Sequence, residues 1–314
     1  MTIPIFALES LTGSTTQLIA CGEYNWLVSY WLIKDKKNIN EVLFEIDRPD
    51  GSIFMLDSGA FSAWNKGFRI NLWDYIDFIK KYYRHFTHIV CLDVIDNPTT
   101  SRINYLIMSQ ELADLNLKII PVYHSGERFS VLGAMINEAE YIGISPNNNW
   151  NESSKLEWLA DIEGRYNFSK FSTHGFGYTS IKGLGRFSLT TADSTSWRLG
   201  AAYGGIIIPR GLVKISTKVG DLFNKNFIEV SNSDFVLGIC NELNIKVEHL
   251  REDYYLRLLF NIKSTVKLIN DDIGLNEKST QVKLVQSDFG IPFDFDFKEK
   301  YALAKKLNRE YTGE

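Results

Sequence analysis

The sequence predicts an α/β fold, a (β/α)8 TIM-like barrel with a C-terminal helical extension, and three observations predict it. Eight short apolar runs bounded by turn residues alternate with helical or connecting segments. From the second run onward, each delivers a polar, small or reactive residue at or just after its C-terminal end. The 314-residue chain, 45% apolar and 13% aromatic, is long enough to bury a core of that size. Such alternation implies parallel βα units, and in a barrel of eight of them the functional groups gather at the C-terminal ends of the strands.

In order, residues 16–20 read as a first strand and 24–31 as an aromatic helix, and a charged segment over 34–50 leads to a second strand over 53–56 that delivers Asp57. Leu72, Tyr75, Ile76, Ile79 and Tyr82 fall at helical spacing, so 71–86 reads as a helix covering that strand. Residues 88–92 form a strand ending on Asp93, 101–115 a helix, 118–123 a strand delivering His124, and 131–140 a short helix. Residues 141–145 form a strand containing Gly143, 155–166 a helix, and 170–173 a strand delivering His174-Gly-Phe-Gly177. Two more strands, 187–192 and 205–208, deliver Asp193-Ser-Thr-Ser-Trp197 and Pro209-Arg210-Gly211. The catalytic core is thus expected over 1–232. The terminal barrel helix, a helical extension and a peripheral tail follow over 233–314, the tail carrying the acidic-aromatic stretch at 293–297.

Composition narrows the function classes. A net charge of −4 gives no global basic footprint, so any nucleic-acid contact needs a local patch. Three cysteines far apart, at 21, 91 and 240, suit a reducing cytoplasm rather than a disulfide scaffold. No leader-like segment and no long apolar run is present, so a soluble cytoplasmic protein with no membrane partner is expected.

Asp57 ends an apolar run, where a carboxylate costs stability unless something uses it. Ser58, Gly59 and Ala60 leave room for a ligand beside it, and Phe61 and Trp64 offer flat faces. Two carboxylates on one barrel face, Asp57 and Asp193, suit substitution at an anomeric carbon: one attacks the carbon and the other moves a proton. Asp193 is the better nucleophile, because Ser194, Thr195, Ser196 and Arg198 beside it supply hydrogen bonds that keep it ionised. Asp93 suits an N–H pair such as that of guanine, with His124 and the Gly143 backbone meeting the remaining polar edge. Plainer readings stand beside these: Asp57 and Asp193 as turn or helix caps, Asp93 with Asn97-Pro98 as an Asx turn, His124 and His174 as hydrogen-bonded structural residues.

Taken together, Asp57-Ser-Gly-Ala-Phe61, Leu92-Asp93-Val-Ile, Val122-Tyr-His124-Ser-Gly126-Glu, Tyr141-Ile-Gly143, His174-Gly-Phe-Gly177 and Asp193…Arg198-Leu-Gly200…Gly204 resemble the ordered motifs of the tRNA-guanine transglycosylases. Over residues 50–265 the chain most resembles the phage and bacterial paralogues that place 7-deazaguanines in DNA. The resemblance implies a base exchange in which Asp193 takes the sugar C1′ and Asp57 handles the proton on the ring nitrogen. Asp93 would read the purine edge, Phe61 would stack, and Gly143 would contact the base through its backbone. His124 stands where the tRNA enzymes carry Gln. His174, with Gly175 after it, stands where Met usually packs on the base's other face. The implied partners are DNA, with tRNA as the alternative, and a 7-deazaguanine base, the 7-cyano form foremost; an N-glycosidase and a non-catalytic base-binding protein are the rival readings.

One departure is plain. The tRNA enzymes carry a Cys-x-Cys-x-x-Cys cluster and a later His for a structural zinc, and Phe260 and Asn261 stand where that His is expected. Cys240 and His249 alone do not make a four-coordinate site, so no metal and no cofactor is expected, and DNA is favoured over tRNA. Arg198, Arg210, Lys214 and Lys218, following the last two predicted strands, and Lys66 and Arg69 after the Asp57 loop, form the expected basic rim.

Overall fold

The computed structural model describes residues 2–8, 15–37, 39, 47–95, 97–147, 149–178, 186–216 and 220–272. Its main sheet has nine strands: β1 (Ile3–Leu8), β2 (Trp26–Ser29), β3 (Phe54–Asp57), β4 (His88–Val90), β5 (Lys118–Ile120), β6 (Val122–His124), β7 (Tyr141–Ser145), β8 (Ser172–Gly175) and β9 (Thr191–Ser194). Their hydrogen-bonded order is β5-β4-β3-β2-β1-β9-β8-β7-β6. The two strands at the ends of that order are one stretch of chain, interrupted at Pro121. β5 pairs in parallel with β4, and β6 in parallel with β7. A proline has no N–H to give a ladder, so the run changes partners there. The carbonyl of Pro121 still accepts the Gly143 N–H at 2.8 Å. Counted as one, β5 and β6 bring the strands to eight, and the order returns to its start: the fold is an α/β TIM-like barrel with helices between the strands.

The strand inventory differs from the predicted one at both ends. The first strand is β1, whose residues Ile5, Phe6, Ala7 and Leu8 are all buried, as in a strand covered on both faces. Residues 16–20 instead belong to the helix Thr15–Ala20, where Thr15 and Leu18 are buried and Ile19 is exposed, a three-residue rather than a two-residue period. The aromatic stretch over 24–31, predicted as helical, divides into the fully buried β2 and the short helix Tyr30–Ile33. The predicted eighth barrel strand is not in the main sheet. Gly205–Ile208 (β10) pairs antiparallel with Gly211–Lys214 (β11) as a two-stranded hairpin across Pro209-Arg210. Its apolar residues serve another core: Ile206 and Ile208 pack with Ile215, Val236, Ile239, Leu250 and Phe260.

The described residues fall into two compact units, one drawn from Met1–Trp26, Arg48–Ser52 and Gly175–Ser279, the other from Leu27–Asp47 and Ile53–His174. In the second unit the helix Leu72–Tyr82 buries the predicted apolar positions and begins on Asn71, whose side chain accepts the Trp73 and Asp74 N–H groups at 2.8 and 3.2 Å. Its Tyr75 hydroxyl reaches the carbonyls of Leu56 at 3.3 Å and Val90 at 2.9 Å, tying β3 to β4 just before their functional ends.

In the first unit the chain closes with the helices Asp234–Glu242, His249–Glu252 and Tyr254–Asp272, as the sequence predicts. Asn261 is fully buried there. Its amide oxygen accepts the Ile207 N–H at 2.8 Å, and its nitrogen donates to Trp197 at 3.0 Å and Gly205 at 3.2 Å. Buried Arg257 donates to the carbonyls of Ala201, Leu250 and Arg251. This helix thus holds the hairpin through side-chain to backbone bonds, each satisfying a buried polar group that would otherwise cost about 1–3 kcal/mol. The predicted tail, with 293–297, lies outside the described residues, as does Lys218. No helix among the described residues is long and apolar enough to cross a membrane. Cys21, Cys91 and Cys240 are free and buried, and burial raises all three thiols, Cys21 and Cys240 to about 11.

Candidate functional site

Asp57 is the last residue of β3, and its Oδ2 accepts the Gly59 N–H at 3.1 Å. Ser58 is fully buried; its Oγ accepts the Ala60 N–H at 3.3 Å and donates to Asp93 Oδ1 at 3.4 Å. The turn closes tightly because Gly59, at φ +77°, has no Cβ: one placed there would lie 2.1 Å from Ser29 Oγ and 2.6 Å from Trp31 Cβ. After β4 the chain runs through Cys91 and Leu92 to Asp93. The Asn104 amide donates to the Leu92 carbonyl at 2.9 Å, and the Ser101 hydroxyl accepts the Val94 N–H at 2.8 Å, so both neighbours of Asp93 are held by the helix Pro98–Glu111.

His124, the last residue of β6, completes the group. Its Nε2 lies 3.0 Å from Asp93 Oδ2 and its Nδ1 3.2 Å from Glu127 Oε1, while its backbone N–H donates to the same Glu127 oxygen at 3.1 Å. The Glu127 side chain is only 8% exposed, and its Oε2 is buried without a hydrogen-bond partner. Burial alone would lower the His124 pKa. The hydrogen bonds and negative charges of Asp93 and Glu127 outweigh it and raise the value to about 9. The ring is therefore an imidazolium at neutral pH, with both N–H groups donating. Each Asp93 oxygen, already accepting one hydrogen bond, keeps a second acceptor position.

A histidine raised from 6.5 to about 9 stabilises the folded state fully below pH 6.5, and that contribution is lost as pH rises through 9. Glu127→Gln is expected to lower the His124 pKa and to flatten the fall in stability between those two values. Titration of the His124 ring resonances and urea unfolding across that window measure the two effects. An unshifted His124 pKa in the variant would refute this assignment.

The other predicted residues are placed as follows. Phe61 is 44% exposed and its ring stacks at 6.2 Å on Trp64. Gly143 lies inside β7, and its N–H is taken by the Pro121 carbonyl. His174 is buried within β8 rather than beyond it, and Gly175, the last residue of that strand, leaves no room for a Cβ, which would lie 2.8 Å from Tyr178.

Asp193 lies within β9 opposite Ile5 of β1, and its Oδ1 accepts the Gly177 N–H at 2.8 Å. Two of the neighbouring hydroxyls expected to serve it bond each other, Ser194 and Ser196 at 2.6 Å, and Ser194 Oγ accepts the Ser196 N–H at the start of the helix Ser196–Ala202. Arg198 is half-buried on that helix. Arg210 and Lys214 do not follow a barrel strand but belong to the β10–β11 hairpin, Arg210 ion-paired with Glu229. Asp57, Asp93 and His124 belong to one compact unit and Asp193 to the other.

Ser58 and Glu127 are the site residues whose hydrogen-bonding roles sequence reasoning did not assign. A signal existed for the second, a carboxylate three positions beyond a strand-ending histidine with a glycine between them. Among the described residues no three His, Cys, Asp or Glu side chains gather as metal ligands would. No protein-family model and no curated protein matches this chain.

Proposed function

We propose that the protein is a base-exchange transglycosylase that replaces guanine in DNA with a 7-deazaguanine, the 7-cyano form foremost. The observation that supports this reading best is the convergence of three strand ends on one carboxylate: Ser58 beyond β3, Asp93 beyond β4 and His124 at the end of β6. The acceptor position left on each Asp93 oxygen complements the N1–H and exocyclic amine of the guanine edge, while His124, with both ring N–H groups given to Asp93 and Glu127, holds that carboxylate in place. The reaction itself is carried by the ordered sequence motifs.

In the proposed reaction the target nucleotide leaves the base stack and Asp93 accepts from its N1–H and exocyclic amine. The Asp193 carboxylate forms a bond to C1′ as the C1′–N9 bond breaks. The electron pair of that bond goes to N9, and Asp57, in its acid form, gives the departing guanine a proton. Asp57 then takes a proton from the incoming base, whose N9 attacks C1′ and releases Asp193.

The test is incubation of the protein with duplex DNA carrying labelled guanine, and separately with tRNA, in the presence of 7-cyano-7-deazaguanine, followed by mass spectrometry of the nucleosides. Released guanine matched by modified deoxynucleoside is the expected result. Modified nucleoside from tRNA alone would move the substrate, abasic sites would make the protein an N-glycosidase, and base binding with neither product would make it a binding protein.

A further inference from the structure

Three of the five exposed aromatic side chains among the described residues lie within eight positions: Phe61, Trp64 and Phe68, at 44%, 50% and 58% exposure. A folded domain leaves such rings in water at a cost unless something covers them. They form one surface with the segment 30–37. The Trp31 N–H donates to the Ser58 carbonyl at 3.3 Å, Gly59 packs against Ser29 and Trp31, and the Trp31 ring lies 5.6 Å from that of Phe68. Lys34 Nζ stands 5.1 Å over the Trp31 ring.

Charge separates the partners such a surface could take. Over 30–37 and 58–71 the chain carries five cations, Lys34, Lys36, Lys37, Lys66 and Arg69, against one carboxylate, Asp35, a net of +4 in a chain whose total is −4. Asp35 is paired with Lys34 at 2.6 Å, while Lys66 and Arg69 are exposed and stand in the sequence between Trp64 and Phe68 and directly after Phe68. Flat faces spaced along a strip, with cations interleaved, match a strand whose bases are unpaired and whose backbone is anionic. An apolar protein partner would not call for the cations, and a fully paired duplex hides the faces of its bases.

We propose that this strip, running from Phe61 through Trp64 to Phe68 with Trp31 beside it, binds unpaired nucleic acid by base stacking. The nucleotides flanking the exchanged one would rest on Trp64 and Phe68 while Lys66 and Arg69 meet their phosphates. The idea rests on the proposed function only in taking the ligand to be a nucleic-acid strand. It adds that the substrate is engaged as an opened strand rather than as closed duplex.

Binding without chemistry tests it. Fluorescence anisotropy of a short labelled oligodeoxynucleotide, a matching oligoribonucleotide and a perfect duplex is measured on the whole chain, with no free base present. Trp64→Ala and Phe68→Ala are each expected to weaken single-strand binding about tenfold, and Lys66→Ala to reduce its salt dependence. Duplex is expected to bind more weakly and to lose little in the aromatic variants. The two single-strand arms tell DNA from RNA.

Unchanged single-strand affinity in a Trp64→Ala/Phe68→Ala variant with intact circular dichroism would overturn the proposal. So would a variant that alters only self-association in sedimentation, which would assign the rings to a second copy of this chain. Strand binding that is lost in the variant while the native protein shows no base exchange would keep this surface and remove the reaction. Exchange with strand binding unaltered would do the reverse.

Discussion

Asp193→Ala is expected to abolish base exchange, with a loss of about 10⁴-fold or more, the scale seen when a covalent nucleophile is removed from a group that acts as a unit. Asp57→Asn should cost less, on the order of 10²–10⁴-fold, since it removes proton transfer and leaves the nucleophile. The two variants differ in a second readout. A denaturation-resistant complex between protein and DNA, trapped when no incoming base is supplied, should be missing from Asp193→Ala. Free guanine should still bind that variant, because Ser58, Asp93, His124 and Glu127 are untouched. Exchange persisting in Asp193→Ala would end the covalent mechanism.

The second large effect concerns stability. Gly59 and Gly67 share a φ of +77°, yet a Cβ on Gly59 would meet Ser29 and Trp31 at 2.1 and 2.6 Å, while one on Gly67 would meet nothing within 4 Å. Gly67→Ala should therefore cost only the backbone strain, about 1 kcal/mol. Gly59→Ala adds overpacking against a buried strand, for a total of about 2–4 kcal/mol. Urea unfolding of the pair isolates the packing component by difference. Equal losses would mean that the segment 59–68 is not seated on 29–31 as described.

The sequence revealed more of the candidate site than of which runs are barrel strands. Asp57, Asp93 and His124 were legible because each ends an apolar run, and in parallel βα units that position alone says which rim the residue occupies. Glu127 was less visible: its role comes from a turn that brings it back under His124, a contact that spacing suggests but burial decides. The strand errors share one cause. Short apolar runs carry no period, so 16–20 and 205–208 read as barrel strands when one is a helical turn and a half and the other the first arm of a hairpin. The true first strand, β1, contains Pro4, which breaks the strand pattern on the page although it sits near a strand start, where proline is tolerated. Nor did the sequence foretell that Ser194 and Ser196 would bond each other and leave the Gly177 N–H as a contact of Asp193.

The three buried thiols carry a practical consequence. Alkylating and disulfide-exchange reagents attack the thiolate, and Cys21, Cys91 and Cys240 are all held out of water in the protonated form. The native chain is therefore a quiet background for maleimide chemistry. A single cysteine introduced at the exposed position of Lys66 would take a dye or spin label without first stripping the protein of its own cysteines, and would report directly on what passes over the aromatic strip.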